Sequence, residues 1–189
     1  MSVFLRHFID EKKYILISVI TLIVMGFLFG FYQYNHSSNL IKDFFKNLFY
    51  LNIEGYENDY QSYLILNIVF IFVCTYLSSS YIGHIGILFL LFLKGVQISY
   101  SCIFTFSNLS FSYIILLLVF LETVLEILLC ITLGVMNIHI SLYVTLVTFF
   151  LEQNFNMKSM LNYKLNCLIL SLIIFVISLA FRLYIIPFF

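Results

Sequence analysis

The sequence predicts an all-α protein, a polytopic bundle of transmembrane helices with about five spans. Apolar residues make up 63% of the 189 residues and charged residues only 10%, whereas a soluble domain carries about 45–50% and about 25%. Apolar stretches of about 20 residues, the length that a helix needs to cross a bilayer, recur along the chain. Residues 1–189 are therefore expected to form a single integral membrane domain.

The first predicted span covers residues 14–34 and follows the charged stretch RHFIDEKKY. It contains Gly26 and Gly30 at the GxxxG spacing, which lets another helix approach closely on one face. Two glycines at this spacing also arise by chance in a long apolar helix. Gly26 and Gly30 are thus candidate helix-packing residues.

Residues 35–62 form the longest polar connection and contain a short amphipathic helix, at about residues 39–51. Apolar side chains recur there in pairs every four residues, at Leu40, Ile41, Phe44, Phe45, Leu48 and Phe49. Lys42, Asp43 and Lys46 lie on the opposite side. A helix of about a dozen residues is too short to span, so it is expected to lie at the membrane surface.

Four further spans are predicted, at about residues 63–81, 85–106, 111–135 and 167–186. The second and third are separated by a tight turn that Gly83 and Gly86 permit.

The segment at about residues 138–165 is predicted to contain a short interfacial or half-buried helix. Its apolar part is shorter than a span, and a polar stripe runs along one helical face, at Ser141, Thr145, Thr148 and Glu152. A six-span arrangement, in which this segment also crosses, is the alternative.

The distribution of basic residues near the ends of the spans predicts the orientation. With five spans, one side of the membrane collects Arg6, Lys12, Lys13, Lys158 and Lys164. The other side collects Lys42, Lys46 and Arg182. The N-terminus is therefore predicted to be cytoplasmic, and the first connection lies outside.

Lys94 is a cation in the middle of the third span, within LLFLKGVQIS. A charge at the bilayer centre costs about 2.5–3.5 kcal/mol, so Lys94 is expected to find a partner inside the bundle. An antiparallel hairpin of the third and fourth spans, connected near Leu109, places Lys94 level with a residue near 124. Glu122 and Glu126 flank that position on one helical face. The three residues form either an ion or proton pathway or a buried pair that fixes helix register.

Four stretches resemble the stage II sporulation protein M family of endospore-forming Firmicutes. They are HFIDEKKYILISVITLIVMGFLFG, IKDFFKNLFYL, GILFLLFLKGVQISYS with its Lys94-Gly95 step, and ETVLEILLCITLGV with Glu126 and Gly134. Gly95 and Gly134 are the further helix-packing glycines that these stretches suggest.

The resemblance implies a non-enzymatic protein of the engulfment machinery. Members of the family form a complex with the stage II sporulation proteins D and P, which cut peptidoglycan, and localise them at the septal membrane. Because these partners act on the outer side, we expect the outer amphipathic helix, with Lys42, Asp43 and Lys46, to meet them. The alternative is that this helix only caps the first two spans.

Other function classes receive little support from the residues. GxSxG, P-loop and HExxH motifs are missing from the sequence. The four histidines do not cluster with cysteines or carboxylates at metal-ligand spacing, and no basic tract suggests nucleic acid. An enzyme and a cofactor are therefore not expected. A transporter or channel subunit built on Lys94, Glu122 and Glu126 is the alternative function, and homo-oligomerisation stays open.

Overall fold

A computed structural model describes residues 3–48, 56–108, 113–150 and 157–185. These residues form six α-helices: α1 (Val3–His36), α2 (Asn39–Leu48), α3 (Tyr56–Leu77), α4 (Gly83–Asn108), α5 (Tyr113–Phe150) and α6 (Met157–Ile185). The predicted all-α helical bundle is confirmed for this part of the chain.

Four helices contain stretches that are long and apolar enough to cross a membrane. These stretches are Lys13–His36, Gly83–Ile103, Val119–Phe149 and Lys158–Phe181. The predicted span 63–81 falls on α3, whose apolar part is the shorter stretch Leu64–Leu77. At a rise of about 1.5 Å per residue, this stretch is shorter than the hydrocarbon core of about 30 Å. A full crossing by α3 stays a prediction.

The glycine contacts show that α1 and α4 run in the same direction. Gly26 lies against Phe92 and Gly95, and Gly30 lies against Val96 and Ser99, so the residue numbers rise together along both helices. The chain must therefore return between α1 and α4, and α3 runs back alongside α4. One end of the bundle carries the turn 78–82 between α3 and α4 and is called the turn end. The other carries α2 and is called the α2 end.

A continuous apolar core holds α1, α3, α4, α5 and α6 together. Its members are buried side chains from all five helices, among them Val19, Ile71, Leu91, Leu133 and Phe175. The outer faces of the helices are also apolar and are exposed, as at Leu28, Phe72, Phe89, Ile173 and Val176. A surface of this kind matches the hydrocarbon of a bilayer rather than water.

The predicted break after residue 135 and the separate interfacial helix within 138–165 are wrong. α5 continues without interruption to Phe150, and α6 already begins at Met157. The polar stripe of this region does not face solvent along its whole length. The hydroxyl of Ser141 donates to the carbonyl of Ser80 at 2.8 Å, and that of Thr145 donates to the carbonyl of Tyr81 at 2.8 Å. The glutamate at position 152 lies outside the described residues.

The turn end is closed by side chains that reach the α3–α4 turn from two other helices. In addition to Ser141 and Thr145 of α5, Lys164 of α6 donates a hydrogen bond to the hydroxyl of Ser79. The backbone N–H of His84 donates to the hydroxyl of Ser141 at 2.8 Å. These bonds fix the start of α4 and thereby the register of the residues that follow it.

Candidate functional site

Lys94 lies near the middle of the apolar stretch of α4 and is only 3% exposed. Its neighbours along the helix include the buried side chains of Leu91, Val96 and Ile98. A lysine this far from either end of a span cannot easily reach the headgroup region, so its ammonium depends on groups within the bundle.

Side chains from three helices surround the Lys94 ammonium. Its Nζ donates hydrogen bonds to Oδ1 of Asn67 in α3, at 2.7 Å, and to Oε1 of Gln97 in α4, at 2.8 Å. Oε1 of Glu126 in α5 lies 4.0 Å from the same nitrogen. Lys94, Asn67, Gln97 and Glu126 are called the Lys94 cluster below, and all four are buried.

The aromatic ring of Phe70 contributes to the environment of this ammonium. Its centroid is 5.9 Å from Nζ of Lys94, within the distance at which the electron-rich face of a ring attracts a cation. Phe70 comes from α3, one turn from Asn67 on the same helix. The face of α3 that meets α4 therefore presents both an amide oxygen and a ring to the cation.

Each member of the Lys94 cluster is placed by simple helix geometry. Because α3 and α4 form a hairpin around the turn 78–82, Asn67 and Lys94 lie at the same depth. Gln97 is three residues beyond Lys94 on the same helix, where neighbouring side chains share a face. α5 packs antiparallel to α4, with Gly134 against Leu91 and Cys102 against Thr123, and this packing brings Glu126 to the cluster.

The charges of the Lys94 cluster balance. The ammonium and the Glu126 carboxylate are separated by more than a direct hydrogen bond, at 4.0 Å, so they attract each other as charges. The two amide oxygens replace two of the hydrogen bonds that the ammonium loses on leaving water. The arrangement stabilises a cation inside the membrane and connects three helices at that point.

Of the two glutamates predicted near Lys94, the structure brings Glu126 to the ammonium. Glu122, one turn toward the α2 end, is partly exposed, whereas Glu126 is 6% exposed. The predicted approach of Lys94 to one of these carboxylates is thus seen at Glu126.

The four predicted helix-packing glycines lie at contacts between helices. A Cβ on Gly26 would lie 2.2 Å from the carbonyl oxygen of Phe92, and one on Gly95 would lie 2.5 Å from that of Ile23. Gly30 faces Ser99 and Val96, and Gly134 faces side chains of Leu91 and Val19. Of these four glycines, Gly26 and Gly95 make the closest contacts, both between α1 and α4, and Gly95 directly follows Lys94.

The outer amphipathic helix is present as α2 (Asn39–Leu48), and the side chains of its apolar side that the structure describes are exposed. Leu40 is 83% exposed and Phe44 is 60% exposed. Nζ of Lys42 lies 5.1 Å from the centroid of the Tyr34 ring, so this lysine holds α2 against the end of α1. Asp43 is exposed. The side chain of Lys46 lies outside the described part of the chain.

Asn67 and Gln97 are the members of the Lys94 cluster that the sequence analysis missed. The signal for Asn67 was present, because a lone asparagine in the second span stands level with Lys94 across the α3–α4 turn. Gln97 could also have been predicted, because it lies three residues from Lys94 and therefore on the same face of the helix. Neither residue was predicted because only carboxylates were considered as partners of Lys94, although an amide oxygen is also a good acceptor for an ammonium.

No protein-family model, curated protein or solved structure matches this chain. The fold and the Lys94 cluster define a helical membrane protein with a charged, hydrogen-bonded centre.

Proposed function

We propose that the chain is a non-enzymatic membrane scaffold that assembles and localises peptidoglycan hydrolases at the septal membrane during engulfment in endospore formation. The observation that carries the proposal is the exposed α2, a helix that is held to the bundle at Lys42 but leaves Leu40, Phe44 and Asp43 uncovered. The resemblance of four stretches to the stage II sporulation protein M family supplies the partners, the sporulation proteins D and P.

The Lys94 cluster supports a structural role in such a scaffold. The cation has two amide oxygens at hydrogen-bond distance and a carboxylate nearby, all supplied by the chain itself. A buried, hydrogen-bonded cluster of this kind fixes the register of α3, α4 and α5. A rigid bundle is what a scaffold needs in order to present α2 in one position.

The proposed orientation places α2 outside the cell and the turn end in the cytoplasm. Lys13 lies in the part of α1 toward the turn end, and Lys158 and Lys164 lie in the first part of α6, which starts there. Basic residues are enriched on the cytoplasmic side of membrane proteins. Partners on the outer face would then meet α2.

Charge reversal on α2 tests the scaffold. The variant Lys42→Glu/Asp43→Lys/Lys46→Glu is expected to insert normally and to capture about tenfold less of the sporulation proteins D and P from sporulating cells. Three surface charge pairs at about 0.5 kcal/mol each sum to about 1.5 kcal/mol, which is a factor of about ten. The measurement is quantitative co-purification from the membrane fraction.

The matched control is Lys158→Glu, an exposed charge at the turn end, which should leave capture unchanged. Asp43→Lys alone separates binding from the attachment of α2, because Lys42 and its contact with Tyr34 are kept. Wild-type capture by the triple variant would show that α2 is not the docking site.

A transporter or channel subunit is the second candidate, and the depth of the Lys94 cluster favours it. Ionisable side chains at the middle of a span often lie on ion or proton pathways. Proteoliposomes with an internal pH-sensitive dye discriminate the two functions. A pathway predicts a proton flux above that of protein-free vesicles, reduced by Glu126→Gln. A scaffold predicts vesicles that are as tight as protein-free ones.

A further inference from the structure

An apolar groove lies between α1 and α5, at the level of Gly95 in α4. Its inner surface includes Ile98 of α4 and Ile23 of α1, which are 2% and 5% exposed. The partly buried side chains of Ile127 and Ile131 line it from α5. The volume of the groove is about 250 Å³, which exceeds the roughly 150 Å³ of an apolar protein cavity that binds benzene. A hydrocarbon group therefore fits into it.

The groove arises because α1 and α5 separate toward the α2 end. The two helices are in contact at Val19 and Gly134, where a Cβ on the glycine would lie 3.0 Å from Cγ1 of the valine. The lining residues of both helices follow toward the α2 end, within residues 20–28 of α1 and 127–131 of α5. The groove is therefore a wedge that begins at this helix contact and extends toward the α2 end.

The groove opens onto the hydrocarbon of the bilayer. Ile20, Val24 and Leu28 form its α1 edge, and all three are exposed. They lie within Lys13–His36, one of the stretches that are long and apolar enough to cross a membrane. At this depth the surrounding medium is hydrocarbon rather than water. A helix of a second copy, about 10–12 Å in diameter, is too wide for a groove of this volume, whereas a single acyl chain is much thinner and fits.

A cation lies beyond the α2 end of the groove, where a lipid headgroup would be. Tyr34 follows Phe27, a lining residue, by seven positions on α1 and therefore lies on the same face of the helix. At about 1.5 Å per residue, it is roughly 10 Å farther along the helix. Nζ of Lys42 is 5.1 Å from the centroid of the Tyr34 ring. The charge of this ammonium is complementary to a phosphate, and a phospholipid carries its phosphate at the membrane surface above its acyl chains.

We propose that the groove binds one acyl chain of a membrane phospholipid from the leaflet at the α2 end, with the phosphate of that lipid at Lys42. The bound chain fills the wedge between α1 and α5, where the two helices do not reach each other. The site is separate from the Lys94 cluster and does not depend on the scaffold function.

Photolabelling of the full chain in lipid bilayers tests the groove. The probe is phosphatidylglycerol with a diazirine in the terminal half of one acyl chain, and mass spectrometry locates the labelled residues. Ile98 is expected to be labelled although it is only 2% exposed, because the groove brings the chain to it. Ile173 of α6 is 51% exposed and reports ordinary contact with the surrounding lipid. Val24→Trp places a larger side chain at the edge of the groove and is expected to abolish the labelling of Ile98, whereas Val24→Ala should keep it. Ile173 should stay labelled in both variants.

The replacement Lys42→Gln tests the position of the headgroup. At limiting probe it is expected to lower the labelling of Ile98 by about fivefold, the usual effect of one basic residue near an anionic lipid. Lys158→Gln, at the turn end, is the matched control and should leave this labelling unchanged. An uncharged diacylglycerol probe with the same photoreactive chain should label the wild-type protein and Lys42→Gln equally.

Three results would overturn the proposal. If Ile98 stayed unlabelled in wild-type bilayers in which Ile173 is labelled, no acyl chain would enter the groove, as when side chains of a second copy fill it. Unchanged labelling of Ile98 in Val24→Trp would show that the chain does not reach this residue through the groove. Equal labelling of the wild-type protein and Lys42→Gln by phosphatidylglycerol would exclude Lys42 as the partner of the phosphate.

Discussion

Lys94→Leu is expected to lower the free energy of unfolding by about 3–5 kcal/mol, the usual cost of leaving one member of a buried ion pair without its partner. The Glu126 carboxylate would keep its place inside the bundle, 6% exposed, and lose the cation that lies 4.0 Å away. Oδ1 of Asn67 and Oε1 of Gln97 would lose their donor as well. Reversible unfolding in mixed micelles with increasing SDS measures the change.

The second replacement Glu126→Gln is expected to recover much of this loss, because the double variant buries no uncompensated charge. Lys94→Leu/Glu122→Gln is the matched control and should recover less, since Glu122 is partly exposed. Equal recovery by the two glutamate replacements would contradict the assignment of Glu126 as the electrostatic partner. If the double variant changed the free energy of unfolding by the sum of the changes in Lys94→Leu and Glu126→Gln, the two residues would not be coupled.

The apolar helices could be predicted from sequence because a membrane span needs little beyond length and apolar composition. The predicted spans 14–34 and 85–106 accordingly fall within α1 and α4, and residues 167–185 of the predicted last span fall within α6. The same reasoning gives no information on which face of each helix packs inward. Apolar side chains face both lipid and core, as the exposed Leu28 and the buried Val19 of α1 show.

The continuation of α5 could not be predicted because polarity does not reveal where a polar side chain finds its partner. The polar stripe that includes Ser141 and Thr145 predicts a short interfacial or half-buried helix, separate from the preceding span. In the structure their hydroxyls bond carbonyls of the α3–α4 turn, which is about 60 residues away in sequence. Gly134, a predicted helix-packing glycine, lies within α5 and faces Leu91 and Val19 in the core.

The approach of Lys94 to Glu126 could be predicted although the assumed register was imprecise. The hairpin argument placed a residue near 124 level with Lys94. The contacts of Leu91 with Gly134 and of Cys102 with Thr123 place that level about seven residues farther along α5. Lysine and glutamate side chains are long enough to meet despite this error in the register of α5. Shorter side chains would not have met, and the prediction would have failed.

Gly26→Ala and Gly95→Ala are each expected to destabilise the bundle by about 1–3 kcal/mol or more, the usual cost of forcing extra atoms into a packed contact. The new Cβ would lie 2.2 Å from the carbonyl oxygen of Phe92 in the first case and 2.5 Å from that of Ile23 in the second. Both obstacles are backbone atoms of the facing helix, so α1 and α4 must move apart. The higher helix propensity of alanine, worth about 1 kcal/mol, offsets only part of this cost.

The combination of the two replacements distinguishes a clash between helices from a local effect within each helix. Once α1 and α4 have separated to accommodate one methyl group, the second meets less resistance, so Gly26→Ala/Gly95→Ala should cost less than the sum of the single variants. Gly86→Ala is the control, because its nearest neighbour is the flexible end of the Leu77 side chain, at 3.1 Å. Unfolding in mixed micelles measures all four variants. A Gly26→Ala protein as stable as the wild type would show that α1 and α4 are not in backbone contact at this point.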